Sequence, residues 1–123
     1  MKIIEAINQI DSLKPNAYST KQKILWLSQL ESMVKRQIID AHQGGEDIIF
    51  DGFNENTDTN TVLLMPSPFD ISYIYWLEAQ IHYAYEDIDM YNAAIQMFNT
   101  TFGEFKADYK RHHAAKGGGR FRF

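Results

Sequence analysis

The chain has 123 residues, no cysteine, 12 basic and 16 acidic residues, and an apolar content of 45%. This length and apolar content fit one folded domain and exclude a wholly disordered chain. The lack of cysteine excludes a disulfide framework, a thiolate metal site and a cysteine nucleophile. No apolar run reaches the roughly 18 residues of a membrane helix, and the N-terminal sequence does not resemble a secretion signal. We therefore expect a soluble, intracellular chain without membrane contact.

Two helices are predicted in the N-terminal third of the chain. Isoleucines at helical spacing indicate a short helix over residues 2–11. A second helix over about 20–42 begins after Ser19, which forms a capping-box pattern with Gln22, and apolar residues then recur every three or four positions. Gly44-Gly45 is the expected end of this helix, because glycine takes the left-handed conformation that terminates helices.

Residues 44–68 combine Gly, Asn, Asp and Thr with two short apolar pieces. The pieces, Ile48–Phe50 and Val62–Met65, either pair as a short β-hairpin or belong to an irregular loop. A long loop of this kind in a compact domain is usually functional or partly mobile.

Two longer helices are predicted after this loop. The third covers about 71–86 with Asp70 as its N-cap, and the fourth covers about 89–114 with a regular apolar stripe. The two should pair as an antiparallel hairpin. The predicted fold is therefore mainly α: a small bundle of about four helices in a single domain over residues 1–115, followed by a flexible or docking C-terminal tail over 116–123.

Charge is divided unevenly along the chain. Residues 1–36 carry a net charge of +3, residues 37–105 contain twelve acids and no Lys or Arg, and residues 106–123 carry +5. One interpretation is an acidic, solvated face that keeps the protein soluble. The other is complementarity between copies, in which the basic ends of one subunit contact the acidic middle of the next and generate a ring. Nucleic-acid binding through the middle is disfavoured, because neutralising phosphates requires Lys or Arg.

The sequence has few candidates for catalysis or metal binding. Glu78, His82 and Glu86 follow one another at intervals of four, and such a set can bind a metal or transfer protons. No second motif of this kind accompanies it, so we interpret it as a half-exposed His among acids. The Asp-rich residues 46–60 do not have the spacing of an EF-hand calcium loop. We expect no enzymatic activity, no catalytic residue, no cofactor and no metal.

Aromatic residues crowd the third predicted helix, and the pattern allows two interpretations. With few charges among them, they suit a protein–protein interface. They equally suit a wide core face covered by residues 44–68. The residues concerned are Tyr73, Tyr75, Trp76, Tyr83 and Tyr85.

The C-terminal sequence alternates basic and aromatic residues: Arg120, Phe121, Arg122 and Phe123. Alternation suits an added strand that places both Phe side chains on one face. A tail that does not bury two Phe within its own domain is suited to docking on a neighbouring protein, and we predict such docking. A frayed terminus is the alternative.

Several segments together resemble one family of phage proteins. The chain is similar to the head–tail connector (adaptor) proteins of siphophages and prophages of Gram-positive bacteria, and the similarity covers most of its length. It also includes the final Gly-Arg-Phe-Arg-Phe sequence. The segments that carry the resemblance are Glu5–Asn16, Lys23–Glu31, Leu63–Asp70, Tyr75–Ile81 and Tyr91–Asn99.

The resemblance implies a structural role in the virion. It implies a small helical fold whose copies form a ring, commonly a dodecamer, beneath the portal protein. That ring would link the portal to the next neck or tail component and surround the channel that DNA crosses without specific binding. The protein would be made in the host cytoplasm and then reside at the head–tail interface.

A DNA channel should not bind phosphates tightly, so acids without nearby bases suit its wall. On this view, the acids of two segments face the channel or a neighbouring subunit: Glu46, Asp47, Asp51, Glu55, Asp58, Glu86, Asp87 and Asp89. The alternative is a small helical regulatory or nucleic-acid-binding module. That alternative needs a basic recognition helix, and the fourth predicted helix becomes basic only from Lys106 onward.

Overall fold

The computed structural model describes residues 1–116, and its fold is mainly α-helical, as predicted. Among these residues there is no β-strand, only two isolated antiparallel bridges. Four α-helices follow one another along the chain: α1 (Ile3–Leu13), α2 (Thr20–Val34), α3 (Ile71–Ala84) and α4 (Ile88–His112). The last two pack closely as a helical hairpin with a three-residue connection, so the predicted hairpin is confirmed.

Helix α3 lies at the centre of the bundle. It contacts α1, α2 and α4, and its buried side chains point to more than one side, among them Tyr73, Leu77 and Ala79. Helix α4 is the outer layer, because it packs mainly on α3 and buries a single stripe that includes Phe98 and Phe105. Much of the surface of this long helix therefore faces water.

The predicted start of α2 is correct, whereas its predicted end is wrong. Ser19 Oγ accepts a hydrogen bond of 3.1 Å from the Gln22 N–H, which caps the helix at the expected residue. The α-helix stops at Val34, and a π-helical turn, Lys35–Ile39, continues it. In that turn the Asp40 N–H donates to the Lys35 carbonyl, five residues earlier, over 2.8 Å.

Gly44 and Gly45 follow this helical segment, which ends at Ile39, and each is required for a different reason. Gly44 has φ +85°, a backbone conformation in which glycine is favoured. Gly45 lies against the preceding turn, and a Cβ placed on it would lie 2.3 Å from the Ile39 carbonyl oxygen. The glycine pair is thus required by close packing as well as by backbone conformation.

Alanine substitution should have opposite effects at two glycines. Gly45→Ala must displace backbone and should cost about 1–3 kcal/mol of unfolding free energy. Gly103 lies on the exposed side of α4 with no atom within 4 Å of an added Cβ, so Gly103→Ala should stabilise the chain by up to about 1 kcal/mol. Urea denaturation of both variants measures the two changes. A Gly45→Ala variant as stable as the wild type, or more stable, would contradict the packing described at Gly45.

The loop between α2 and α3 is irregular, and the alternative of a β-hairpin within it is wrong. Val62 forms its bridge with Lys2, near the start of the chain, and not with Ile48–Phe50. The Ile3 and Ile4 N–H groups donate to carbonyl oxygens of this loop over 3.0 and 2.9 Å. These donors have no partner inside α1, because the first turn of a helix leaves its N–H groups free. The loop therefore caps α1 and does not pair with itself.

The end of α4 returns to the end of the α2 segment. Ala115 bridges His42, and the Lys116 N–H donates to the Ala41 carbonyl over 3.1 Å. The predicted bounds of α3 and α4 lie within two residues of those observed. Asp70 precedes α3 as predicted, although its side chain makes no capping hydrogen bond. Across residues 1–116, no helix is both long and apolar enough to cross a membrane.

Candidate functional site

All eight acids predicted to face a channel or a neighbour are exposed. Five of them lie in the loop between α2 and α3, and three lie at the connection between α3 and α4. Two loop acids meet bases of the same chain, since Glu55 is 3.3 Å from Lys21 and Glu46 is 3.9 Å from Lys116. Exposed pairs of this kind contribute little to stability. These acids therefore remain accessible to a partner.

The connection between α3 and α4 forms an exposed surface that we call the hairpin tip, residues 83–90. Every residue in it is exposed. Its backbone turns sharply, with Glu86 at φ +62° and the Asp87 N–H donating to the His82 carbonyl over 2.9 Å. The Asp87 carboxylate then caps α4 by accepting from the Met90 N–H over 3.3 Å. The tip is thus an ordered turn between two packed helices.

A buried carboxyl group holds the loop between α2 and α3 against the bundle. Glu31 lies on α2 and is 1% exposed. One of its carboxyl oxygens accepts from the Leu64 N–H over 2.8 Å, and the other accepts from the Tyr73 hydroxyl of α3. The Tyr73 oxygen in turn accepts from the Met65 N–H over 2.8 Å. Two loop amides are therefore fixed by a side-chain pair from two different helices.

Burial dominates the ionisation of this pair. Removal from water raises the pKa of Glu31 to about 7, although the hydrogen bonds from Tyr73 and Leu64 act in the opposite direction. Burial, together with the neighbouring Glu31 carboxyl, raises the pKa of Tyr73 well above its ordinary value. The Glu31 carboxyl group therefore titrates near neutral pH, and the same group accepts the hydrogen bond that holds the loop at Leu64.

Of the cavities that adjoin the loop, two contain several apolar side chains. One, of about 290 Å³, lies between the loop and the Glu31 carboxyl, with Phe50 and Phe53 in its wall. The other, of about 280 Å³, lies between the loop and the last turns of α4, and Phe105 and Tyr109 line it. The second cavity is mainly apolar, so its chemistry suits apolar side chains of a partner, whereas two acids and two threonines also line the first.

The structure does not assemble the Glu78, His82 and Glu86 triplet into a site. Glu86 lies beyond the end of α3, in the hairpin turn. The Nε2 atom of His82 is buried without a hydrogen-bond partner in the described chain. Within residues 1–116, His, Asp and Glu side chains form no group of three that could hold a metal.

The aromatic residues of α3 divide between the two interpretations given above. Tyr73 is fully buried, and the half-buried Trp76 donates its indole N–H to the Trp26 carbonyl over 2.8 Å. Tyr83 and Tyr85 are exposed, at 62% and 51%, at the hairpin tip. The first pair belongs to the core. The exposed faces of the second pair are accessible to a partner, although the Tyr85 hydroxyl accepts a hydrogen bond of 3.1 Å from the backbone between α1 and α2.

The sequence analysis did not identify Glu31 as a residue of interest, and the structure does not test the predicted docking of the tail. Glu31 lies four residues after Leu27, on the buried side of α2, and an acid at a core-facing position was the available signal. The predicted docking residues Arg120, Phe121, Arg122 and Phe123 lie outside the described residues.

No family model, curated protein or solved structure matches this chain.

Proposed function

We propose that this chain is a structural head–tail connector subunit of a tailed phage. In this role its copies form a ring beneath the portal protein, link the portal to a neck or tail component, and surround the channel that DNA crosses. The protein would then be located in the virion and would turn over no substrate. The resemblance to siphophage connector proteins suggests the role, and the surface chemistry of the chain supports it.

The observation that carries the proposal is the separation of charge along the chain, together with the exposure of the acids. The 69 residues from 37 to 105 contain no Lys or Arg, and the eight acids named above are all exposed. A ring of identical subunits needs two different complementary patches on each copy. Acidic and basic surfaces supply such patches, and an acidic lining gives DNA no cations on which to bind.

Binding to portal rings tests the proposal. The chain, incubated with purified portal rings of the same phage, should sediment with them as a stoichiometric complex. A portal from an unrelated phage serves as the control and should leave the chain in the supernatant. The proposal is wrong if the cognate portal also leaves the chain unbound.

The alternative, a nucleic-acid-binding module, rests on the last turns of α4. Lys106, Lys110 and Arg111 are exposed there, and clustered bases can contact phosphates. A gel-shift experiment with duplex DNA at moderate salt separates the two functions. The connector role predicts no shift from the free subunit, whereas a binding module predicts a shift that weakens as salt rises.

A further inference from the structure

The hairpin tip has an unusual composition for a surface turn. Four of its eight residues are large and apolar, and all four are exposed: Tyr83, Tyr85, Ile88 and Met90. The Tyr83 ring also contacts the Tyr91 ring, with centroids 5.4 Å apart, which extends the apolar surface onto α4. Single exposed apolar residues are common, but a contiguous patch marks an interaction site.

Charge restricts what can cover this patch. Three acids, Glu86, Asp87 and Asp89, lie in the same turn, and no base lies within the tip. A suitable partner therefore presents apolar side chains together with positive charges. The C-terminal sequence of this same chain has that composition, because Phe121 and Phe123 alternate with Arg120 and Arg122.

The length of the tail decides whether it can reach the hairpin tip of its own chain or only that of another copy. The tip lies at the start of α4, whereas the tail follows Lys116, beyond the other end of that helix. A helix of 25 residues is about 37 Å long. The seven residues from 117 to 123 span at most about 25 Å when fully extended. The Phe residues of a chain therefore fall short of its own hairpin tip.

We propose that residues Arg120–Phe123 of one copy dock on the hairpin tip of a second copy. The two Phe side chains cover the exposed apolar residues of the tip, and the two Arg side chains lie beside its acids. The contact joins different surfaces of two identical chains, so it is heterologous and propagates from copy to copy until a ring closes. As the contact between ring subunits, this inference rests on the proposed function.

The cavity beside Phe105 and Tyr109 is the competing receptor. It is close enough to Lys116 for the tail of the same chain to reach it, since Ala115 bridges His42 near that cavity. One acid, Asp108, lines this cavity, and three bases lie on the same turns of α4: Lys106, Lys110 and Arg111. The tip instead carries three acids and no base, so the Arg residues of the tail favour the tip over this cavity.

Mixing two defective variants tests the head-to-tail contact. The tail variant carries Phe121→Ser and Phe123→Ser, and the tip variant carries Tyr83→Ser and Ile88→Ser. Neither should self-associate, but their mixture should form a heterodimer, because one intact tail meets one intact tip. A control with Ile49→Ser, an 80% exposed loop position, should behave as wild type. Native mass spectrometry reports the species, and variants that associate like wild type, or a mixture without heterodimer, would overturn the docking.

A peptide titration identifies the receptor surface directly. A synthetic peptide of residues 116–123 is added to the full-length tail variant, and backbone amide shifts are followed by NMR. We expect shifts at residues 83–90, and at least a tenfold weaker affinity for a peptide with both Phe replaced by Ser. Raising the salt concentration should weaken binding as well. Absence of shifts at millimolar peptide, or shifts around Phe105 and Tyr109 instead, would overturn the assignment.

Failure of this inference and failure of the proposed function are distinguishable. If the tail variant joins portal rings as well as wild type, the docking is wrong and the connector role stands. If the peptide binds the tip but the wild-type chain does not join portal rings, the docking stands and the connector role is wrong.

Discussion

Between about pH 4 and pH 8, the unfolding free energy of the wild-type chain should fall by about 3 kcal/mol relative to a Glu31→Gln variant. The cause is the buried carboxyl group that fixes the loop between α2 and α3. Its pKa is about 7 in the folded chain and 4.5 when exposed. The difference corresponds to about 3 kcal/mol at 1.36 kcal/mol per unit of pKa.

The direction follows from proton binding. Between these two pKa values the folded chain holds a proton on Glu31 and the unfolded chain does not. Stability from this group is therefore complete below pH 4.5 and is lost as the pH rises through about 7. Glutamine does not titrate, so the variant lacks this dependence and its small cost in hydrogen bonding is the same at every pH.

Urea denaturation at a series of pH values gives both curves. Tyr73→Phe is the matched second variant, because it keeps the carboxyl group but removes its hydroxyl partner and leaves the Met65 N–H without an acceptor. It should cost about 1–3 kcal/mol and raise the Glu31 pKa further. Parallel curves for wild type and Glu31→Gln would show that this carboxyl group is not buried as described.

Leu77→Ala should destabilise the chain by about 3–5 kcal/mol. Leu77 is fully buried on α3, the helix that contacts the other three. Truncation removes its apolar contacts and leaves a cavity that rigid neighbours on several sides do not fill, so the cost should lie at the upper end of such substitutions.

The control for Leu77→Ala is Met97→Ala, a 47% exposed position on α4. That change should alter stability by less than about 0.5 kcal/mol. Midpoints and slopes of urea denaturation curves measure both variants under one condition. Equal effects at the two positions would contradict the central placement of α3.

Local signals in the sequence predicted the helices well. The Ser19–Gln22 pattern located the start of α2 correctly because a cap depends only on neighbouring residues. The regular stripe of α4 likewise predicted a helix whose bounds differ from the observed ones by two residues at most. The spacing of apolar residues and the capping residues were therefore sufficient to predict a helix that packs on one partner through one face.

The features that the sequence did not predict depend on contacts outside the regular helical spacing. The π-helical turn Lys35–Ile39 replaces the predicted end of α2, and Lys35 there contacts Asp40 and the Gly45 carbonyl. Val62 pairs with Lys2 because the first turn of α1 needs acceptors. Glu31 meets Tyr73 across 42 positions of sequence. None of these contacts produces a periodic pattern in the amino-acid sequence.

The candidate surfaces were predicted in part. Charge counting located the acids, and the structure places all eight on the surface. Sequence reasoning did not separate buried Tyr73 from exposed Tyr83, because both lie on a helix that packs on several sides. The combination of exposed apolar residues with acids at the hairpin tip emerges only from the fold.

Cryo-electron microscopy of the chain bound to cognate portal rings tests the connector role most directly. We predict a ring of copies beneath the portal, with acids from the loop or the hairpin tip, such as Asp51 or Asp89, lining the central channel or a subunit contact. A portal that carries no such ring, or a ring whose acids all face outward into solvent, would contradict the account.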